Sequence, residues 1–415
     1  MASLVPSLDR ADLVVVGAGT IGGWASVFAA AEGIGRVIVL DRGLVGMGAS
    51  SRAAGIVCAQ GGTEATVALG RWSIDFYEQQ ASSYGTDSGF RRLGYLLLAI
   101  TEDDELAGRE RVEMQRAEGL DVEWLDAAGA TARAVTLAPD GHRGGSFRSG
   151  DGAIDPPRNV RAYSLAMQAA GVELRERTAF TGLRTEPAAG GGLRVTGVGT
   201  DAGFIETERV LLTGGPSLAA VGQAAGITIA AGAIRHTVAI LEPHHAFDGG
   251  PQPMVFDIGA GLYWRQEEGG LLFGWSDPNE SQGEARSIDW GYHDAIRDRL
   301  ALLVPATRGL GLRRIWAATI DFTPDHLPIL GPGLQADGTP IDGVTVASAG
   351  GHGMMWGPAV ARVGADLAVR GATDVIDVSD LGLDRFDAGG RSRLAADPIA
   401  LPSPRSALSG GAPAS

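Results

Sequence analysis

The sequence predicts an α/β protein: one domain with a parallel sheet, assembled from separated segments, and an inserted α+β domain with a largely antiparallel sheet. Three observations predict this. From Asp12 the chain reads strand, glycine turn, helix and strand within about 30 residues, a βαβ unit. The strand–glycine–helix pattern returns twice, as ERVLLT (208–213) before GGPSLAAVGQAAG and as VTVASA (344–349) before GGHGMMWGPAVARVGADLAVRG. Between these units lie strand-like runs without crossover helices: YLLLAI, HTVAIL, GLYWRQ and GLLFGW.

These patterns assign residues 11–90, 150–226 and 322–386 to the parallel-sheet domain, and 91–149 and 227–321 to the second. Residues 1–10 and 387–415 read as disordered tails; the latter are mostly Gly, Ala, Ser and Pro, which bury little surface. In the first unit DLVVV is nearly continuous in apolar residues, as in a strand covered on both faces. The run WASVFAAAEG that follows the glycines is helical, and RVIVLD is the second strand.

Composition removes several function classes. All 34 basic residues among the 415 are Arg. Without lysine there is no Schiff-base chemistry, hence no pyridoxal-phosphate enzyme, and no Walker A lysine. The net charge of −15 disfavours nucleic acid and anionic lipid as bulk partners. One cysteine, Cys58, excludes an intramolecular disulfide and a Cys-rich metal site. His244 and His245 have no spaced ligand partner, so no metal site is expected. The chain starts without signal-peptide features and holds no long apolar run, which predicts a cytoplasmic protein with no membrane span.

The chemistry begins at Gly17-Ala-Gly19-Thr20-Ile21-Gly22. Gly17 permits the tight turn, Gly19 lets a pyrophosphate approach the backbone, and Gly22 lets helix and strand pack closely. The helix start then offers amides and a positive dipole to phosphates. Asp41 follows at the end of the second strand, where a carboxylate accepts ribose hydroxyls, with Arg42 beside it. This is a Rossmann-type dinucleotide site, and an acid at position 41 disfavours NADP.

The Gly/Ala/Ser loop after the second strand, GLVGMGASSRAAG (43–55), resembles that of the FAD-dependent amino-acid and amine oxidoreductases, the family of D-amino acid oxidase, glycine oxidase and sarcosine oxidase. Ser50, Ser51, Arg52 and Ala54 are the counterparts of residues beside the pyrophosphate and flavin. The resemblance runs over about residues 11–385. Asp155-Pro-Pro-Arg precedes a helix and the strand that makes Phe180 the adenine neighbour; Thr213 and Gly214 match the cofactor-side strand end. Trp316 to Gly331 contains T-P-D-x-x-P-x-x-G, and Gly350-Gly351-His352-Gly353-Met354 resembles the turn under the flavin. The resemblance implies FAD and oxidation of a C–N bond by hydride transfer to the flavin, giving an imine.

Departures from the family shape the mechanism. Ala318 and Arg52 stand where relatives attach the flavin covalently, which implies non-covalent FAD. Met355 and Leu272 stand where sarcosine oxidase has lysines, and Ala317–Phe322 lacks the family's carboxylate-binding Arg. Arg265 and Arg52 are the remaining candidates to bind a substrate carboxylate, with Arg265 expected to stand in for the missing family Lys and Arg, Trp264 as the alternative pocket wall and His352 beside the flavin. The implied partners are a small amine or amino acid and either dioxygen or an electron carrier. Two other readings stay open: a dehydrogenase passing electrons to a carrier, and a non-catalytic FAD-binding subunit of a heteromeric enzyme.

Overall fold

Two apolar runs, Leu13–Val16 and Val37–Leu40, have both faces to bury. The structure, a computed structural model that describes residues 9–399 except 278, 280, 281 and 285, pairs them in parallel with Leu13 opposite Val37. Val210–Leu212 and then Pro340–Ser348 add parallel strands on one side, and Glu173–Arg175 adds one on the other. Side chains alternate across this sheet. Leu13, Val15, Val37 and Val39 face a core shared with Trp24 and Val360 of the covering helices, Thr20–Ala31 and Gly357–Arg370. Val14, Val16, Ile38 and Leu40 enter a second core on the opposite face. Phe180–Pro187, Leu193–Thr200, Gly203–Glu206 and Ile329–Leu334 complete nine strands.

The second sheet has eight strands. Its order is Leu312–Phe322, Gly232–Leu241, Gly270–Trp275, Leu262–Glu267, Met254–Asp257, Tyr95–Leu98, Gly145–Arg148 and Glu123–Leu125. Every pairing is antiparallel except that of Met254–Asp257 with Tyr95–Leu98. The mixed α/β architecture with a largely antiparallel second sheet is therefore the one the sequence predicts. No helix of the described residues is long and apolar enough to cross a membrane.

One buried ion pair ties the T-P-D turn to the short 3-10 helix Leu383–Arg385. Arg385 is fully buried; its Nε donates to Asp325 Oδ2 at 2.7 Å and its Nη2 to Oδ1 at 3.1 Å. The remaining donors meet the carbonyls of Leu381 and Leu327. Burial pushes the Asp325 carboxyl up, but the hydrogen bonds and charge of Arg385 outweigh it and hold the group below its ordinary value.

The tails need correction. Residues 1–8 and 400–415 lie outside the described residues; the rest of both segments is largely exposed but anchored by single side chains. Asp9 pairs with Arg36 and Arg175, and Arg10 bridges to Glu206. Residues 387–399 lie along the molecule, with Ser392 bridged to Phe386 and Asp397 only 3 % exposed. Low average hydrophobicity hid single anchoring side chains.

Arg385→Leu leaves Asp325 buried without its counter-charge. Urea unfolding is expected to show a loss of about 3–5 kcal/mol, partly recovered by adding Asp325→Asn. A loss below about 1 kcal/mol contradicts this account.

Candidate active site

The carboxyl ends of the parallel strands open into a cavity of about 660 Å³. At its base the glycine turn is under steric constraint. Gly17 has φ +105°, a region L side chains rarely adopt. A Cβ on Gly22 would lie 1.9 Å from the Gly17 carbonyl oxygen, so the helix can start here only without a side chain. Thr213, from the neighbouring strand, donates its hydroxyl to the carbonyls of Val16 and Gly17 at 2.9 and 3.2 Å. Thr20 N–H and its hydroxyl both donate to Ser50 Oγ, which pins the Gly/Ala/Ser loop to the helix start. Asn159 joins this point to the core by donating to the Thr20 hydroxyl and accepting from Trp24 Nε1.

Asp41 lines the cavity from the end of its strand. Its carboxylate accepts the amides of Ala18 and Gly43 at 2.9 and 2.7 Å. Arg42 reaches across to Glu284 at 2.7 Å, and the same Glu284 oxygen accepts the Ser217 hydroxyl. Phe180 and Gly214 complete this nucleotide-shaped end.

The opposite end is apolar. Ala54, Ile56, Tyr95, Phe256, Tyr263 and Met355 belong to one hydrophobic cluster, and all line the cavity. Tyr263 lies against Gly274, its register partner, where a Cβ would sit 2.0 Å from the phenol oxygen. The Tyr263 hydroxyl is 2.5 Å from His236 Nε2, and His236 Nδ1 is 2.8 Å from Ser276 Oγ. Burial pushes His236 down to about 4, so the imidazole is neutral near pH 7. Asp321 also lines the cavity and accepts the Ser348 hydroxyl at 2.7 Å; burial raises its carboxyl against that hydrogen bond.

The 350–355 turn closes the floor. Gly350 and Gly351 take φ +55° and +94°, and a Cβ on Gly351 would meet the Asp321 carbonyl at 2.7 Å. His352 lies tilted against Trp356 with ring centroids 4.2 Å apart, and burial pushes it down to about 4. Its Nδ1 is buried without a hydrogen-bond partner among the described residues. Gly353 has open space where a Cβ would stand.

Of the residues chosen from sequence, Gly17, Gly19, Thr20, Ile21, Asp41, Arg42, Ser50 and Ala54 line this cavity. So do Phe180, Thr213, Gly214, Gly351, His352, Gly353, Met354 and Met355. Gly22 acts through packing. Ser51 and Arg52 instead line a neighbouring groove; Arg52 donates to the carbonyls of Met47 and Gly48, which fixes the loop. Arg265 lies in that groove too, its guanidinium held by Glu267 and the Ala54 carbonyl. It is already paired and does not line the main cavity. Trp264 points to the other sheet face and packs in a core with Phe147 and Phe273. Sequence reading missed His236, Ser276, Phe256 and Asp321. A histidine opening the apolar run HTVAIL was the available signal.

The family model for FAD dependent oxidoreductases matches residues 12–367. The chain belongs to this family. It is 27 % identical over 394 residues to 4-methylaminobutanoate oxidase (formaldehyde-forming) of Paenarthrobacter nicotinovorans, across 92 % of this chain and 46 % of that protein. Mouse sarcosine dehydrogenase is 24 % identical, with 37 % of its length covered. The chain thus spans less than half of these relatives. Glycine oxidase from Geobacillus kaustophilus superposes with TM-score 0.76 at 26 % identity, covering 92 % of this chain and 100 % of that one. L-proline dehydrogenase from P. horikoshii superposes at 0.81 with 23 % identity, covering 91 % and 98 %, a likeness of fold.

The cavity fits FAD. Its lining is polar at one end and apolar at the other, the glycine turn presents a helix start to phosphates, and Gly353 leaves open space beside the floor.

Two outcomes are expected. Asp41→Ala should weaken FAD binding by about 1–3 kcal/mol in a fluorescence titration, the scale of lost hydrogen bonds to a charged group; unchanged affinity contradicts the placement of the ribose. His236, His326 and His352 are all held down to about 4 by burial. Unfolded histidines bind protons below about 6.5, so between pH 6.5 and 4 the unfolded state binds more protons and stability falls as pH falls. Unfolding curves should show that decline, and His236→Gln should flatten it by about one proton's worth of slope. A slope unaffected by the substitution would mean His236 is not buried neutral.

Proposed function

We propose that the chain oxidises the C–N bond of a small primary or secondary amine to an imine, at the apolar end of the cavity, with FAD held without a covalent link. The observation that carries this reading is the Tyr263–His236–Ser276 hydrogen-bond chain, set among apolar side chains at this end of the cavity, with the nearby Arg265 guanidinium turned to Glu267 and the Ala54 carbonyl. Among the described residues, the arginines that line the cavity, Arg42 and Arg286, belong to the wall around Glu284: Arg42 is paired with it, and Arg286 lowers its carboxyl through charge. FAD, when bound, supplies the two-electron acceptor for the hydride lost from the carbon beside nitrogen.

The chain's own residues do the rest. A neutral amine is the reactive form, and the apolar wall of Tyr95, Phe256 and Met355 favours it by desolvating its conjugate acid. Neutral His236, donating through Nδ1–H to Ser276, accepts the Tyr263 hydroxyl at Nε2. The phenol oxygen then keeps its lone pairs for the substrate N–H, which orients the amine. The 350–355 turn and the start of Gly357–Arg370 place amides and a positive dipole at the floor, where negative charge is stabilised. Ala318 and the internally bonded Arg52 offer no linking atom, and Cys58 is buried and bonded to Asp151.

The electron acceptor that follows is dioxygen or an electron carrier. The absence of lysine anywhere in the chain, with Met355 on the cavity wall, favours a carrier, hence a dehydrogenase.

Anaerobic mixing of the FAD-loaded protein with N-methylpropylamine should bleach the visible flavin absorbance. Tyr263→Phe should keep its FAD and reduce about tenfold more slowly, as for one lost hydrogen bond. Failure of every simple primary and secondary amine to bleach the flavin would contradict the proposal.

A further inference from the structure

The C-terminal segment that composition marks as a tail reaches the cavity. Residues 387–399 run back over the T-P-D turn: Arg393 N–H donates to the Arg385 carbonyl, and Asp397 N–H donates to the Asp325 carbonyl, both at 2.9 Å. Asp397 is the anchor. Its carboxylate accepts the Thr66 hydroxyl at 2.9 Å and the amides of Gly62 and Ile399 at 3.2 and 2.8 Å. Gly62 and Thr66 flank the start of the helix Glu64–Tyr84, whose dipole favours an anion there. The contact is close: a Cβ on Gly62 would lie 2.4 Å from Asp397 Oδ1 and 2.5 Å from Pro398 Cδ. Two residues beyond the anchor, Ile399 packs on the Tyr95–Phe256–Tyr263 cluster and lines the cavity.

We propose that this strap sets the size of the substrate, with Ile399 as a specificity-determining wall of the amine site and Asp397 as the residue that positions it. The inference rests on the proposed reading of the apolar end as the amine site. Ile399 has no catalytic task. Its branched side chain fills volume beside Tyr263, so an amine with a short substituent fits and one with a phenyl group meets the strap. Discrimination by filled volume in an apolar pocket is worth about 10–200-fold.

The test uses the full-length FAD-loaded protein, Ile399→Ala, which opens the wall, and Gly62→Ala, which displaces the strap from outside the cavity. Anaerobic flavin reduction is measured with N-methylpropylamine and N-methyl-2-phenylethylamine, and acrylamide quenching of the bound flavin's fluorescence is measured without any amine. Both variants should shift the rate ratio at least about tenfold toward the phenyl amine, and both should increase quenching. An unchanged ratio overturns the proposal, whether or not quenching rises. If no amine reduces the flavin even in the parent protein, the amine reading fails instead. Quenching then still decides the strap: an increase in both variants supports its place over the flavin end, and no increase overturns it.

Discussion

The position of the cavity depends on one close approach, that of the helix Thr20–Ala31 to the end of its strand. Only because Gly22 lacks a Cβ can the helix begin against the Gly17 carbonyl. That contact aims the first turn of the helix at the space beyond the sheet. Thr213 fastens the next strand to the same two carbonyls, and Ser50 fastens the loop that borders the apolar end. A change of one ångström here would move amides, ribose acceptor and loop together.

The second sheet supplies what a nucleotide-binding unit lacks, a wall with its own chemistry. Tyr263, His236 and Ser276 come from strands that are neighbours only through register: Gly232–Leu241 pairs with Gly270–Trp275, which pairs with Leu262–Glu267. Gly274 opposite Tyr263 lets the ring lie flat, and the hydroxyl then reaches His236. The polar chain is desolvated, so the imidazole stays neutral and serves as an acceptor rather than a cation. Asp325 plays a structural part in the same region. Its carboxylate is satisfied by Arg385 and its carbonyl by Asp397, so the T-P-D turn and the strap are one unit.

How legible each part was in the sequence follows from how local its cause is. Gly17, Gly19, Gly22 and Asp41 act within one βαβ unit, and their spacing alone predicted their places. The T-P-D and Gly-His-Gly stretches were legible through resemblance. The apolar end was not, because no sequence pattern states which residue of one strand stands opposite which residue of another. Alternation put Tyr263 and Arg265 on one face, and both do lie there. It could not show that the Ala54 backbone divides that face between two spaces, leaving Tyr263 in the cavity and Arg265 with Glu267 in the groove. The strap was missed because composition averages over a segment, whereas its docking depends on Asp397 and on the missing side chain of Gly62.

As proposed, the cavity selects an amine through its nitrogen and its bulk, and the arginines that line it among the described residues, Arg42 and Arg286, belong to the wall around Glu284. The most direct measurement is the second-order rate of anaerobic flavin reduction by pyrrolidine and by proline under identical conditions. The amines share ring and nitrogen and differ in the carboxylate. The account predicts that pyrrolidine reduces the flavin at least as fast as proline. Reduction by proline ten times faster or more would contradict it and would require a guanidinium, Arg286 or a displaced Arg265, to enter the apolar end.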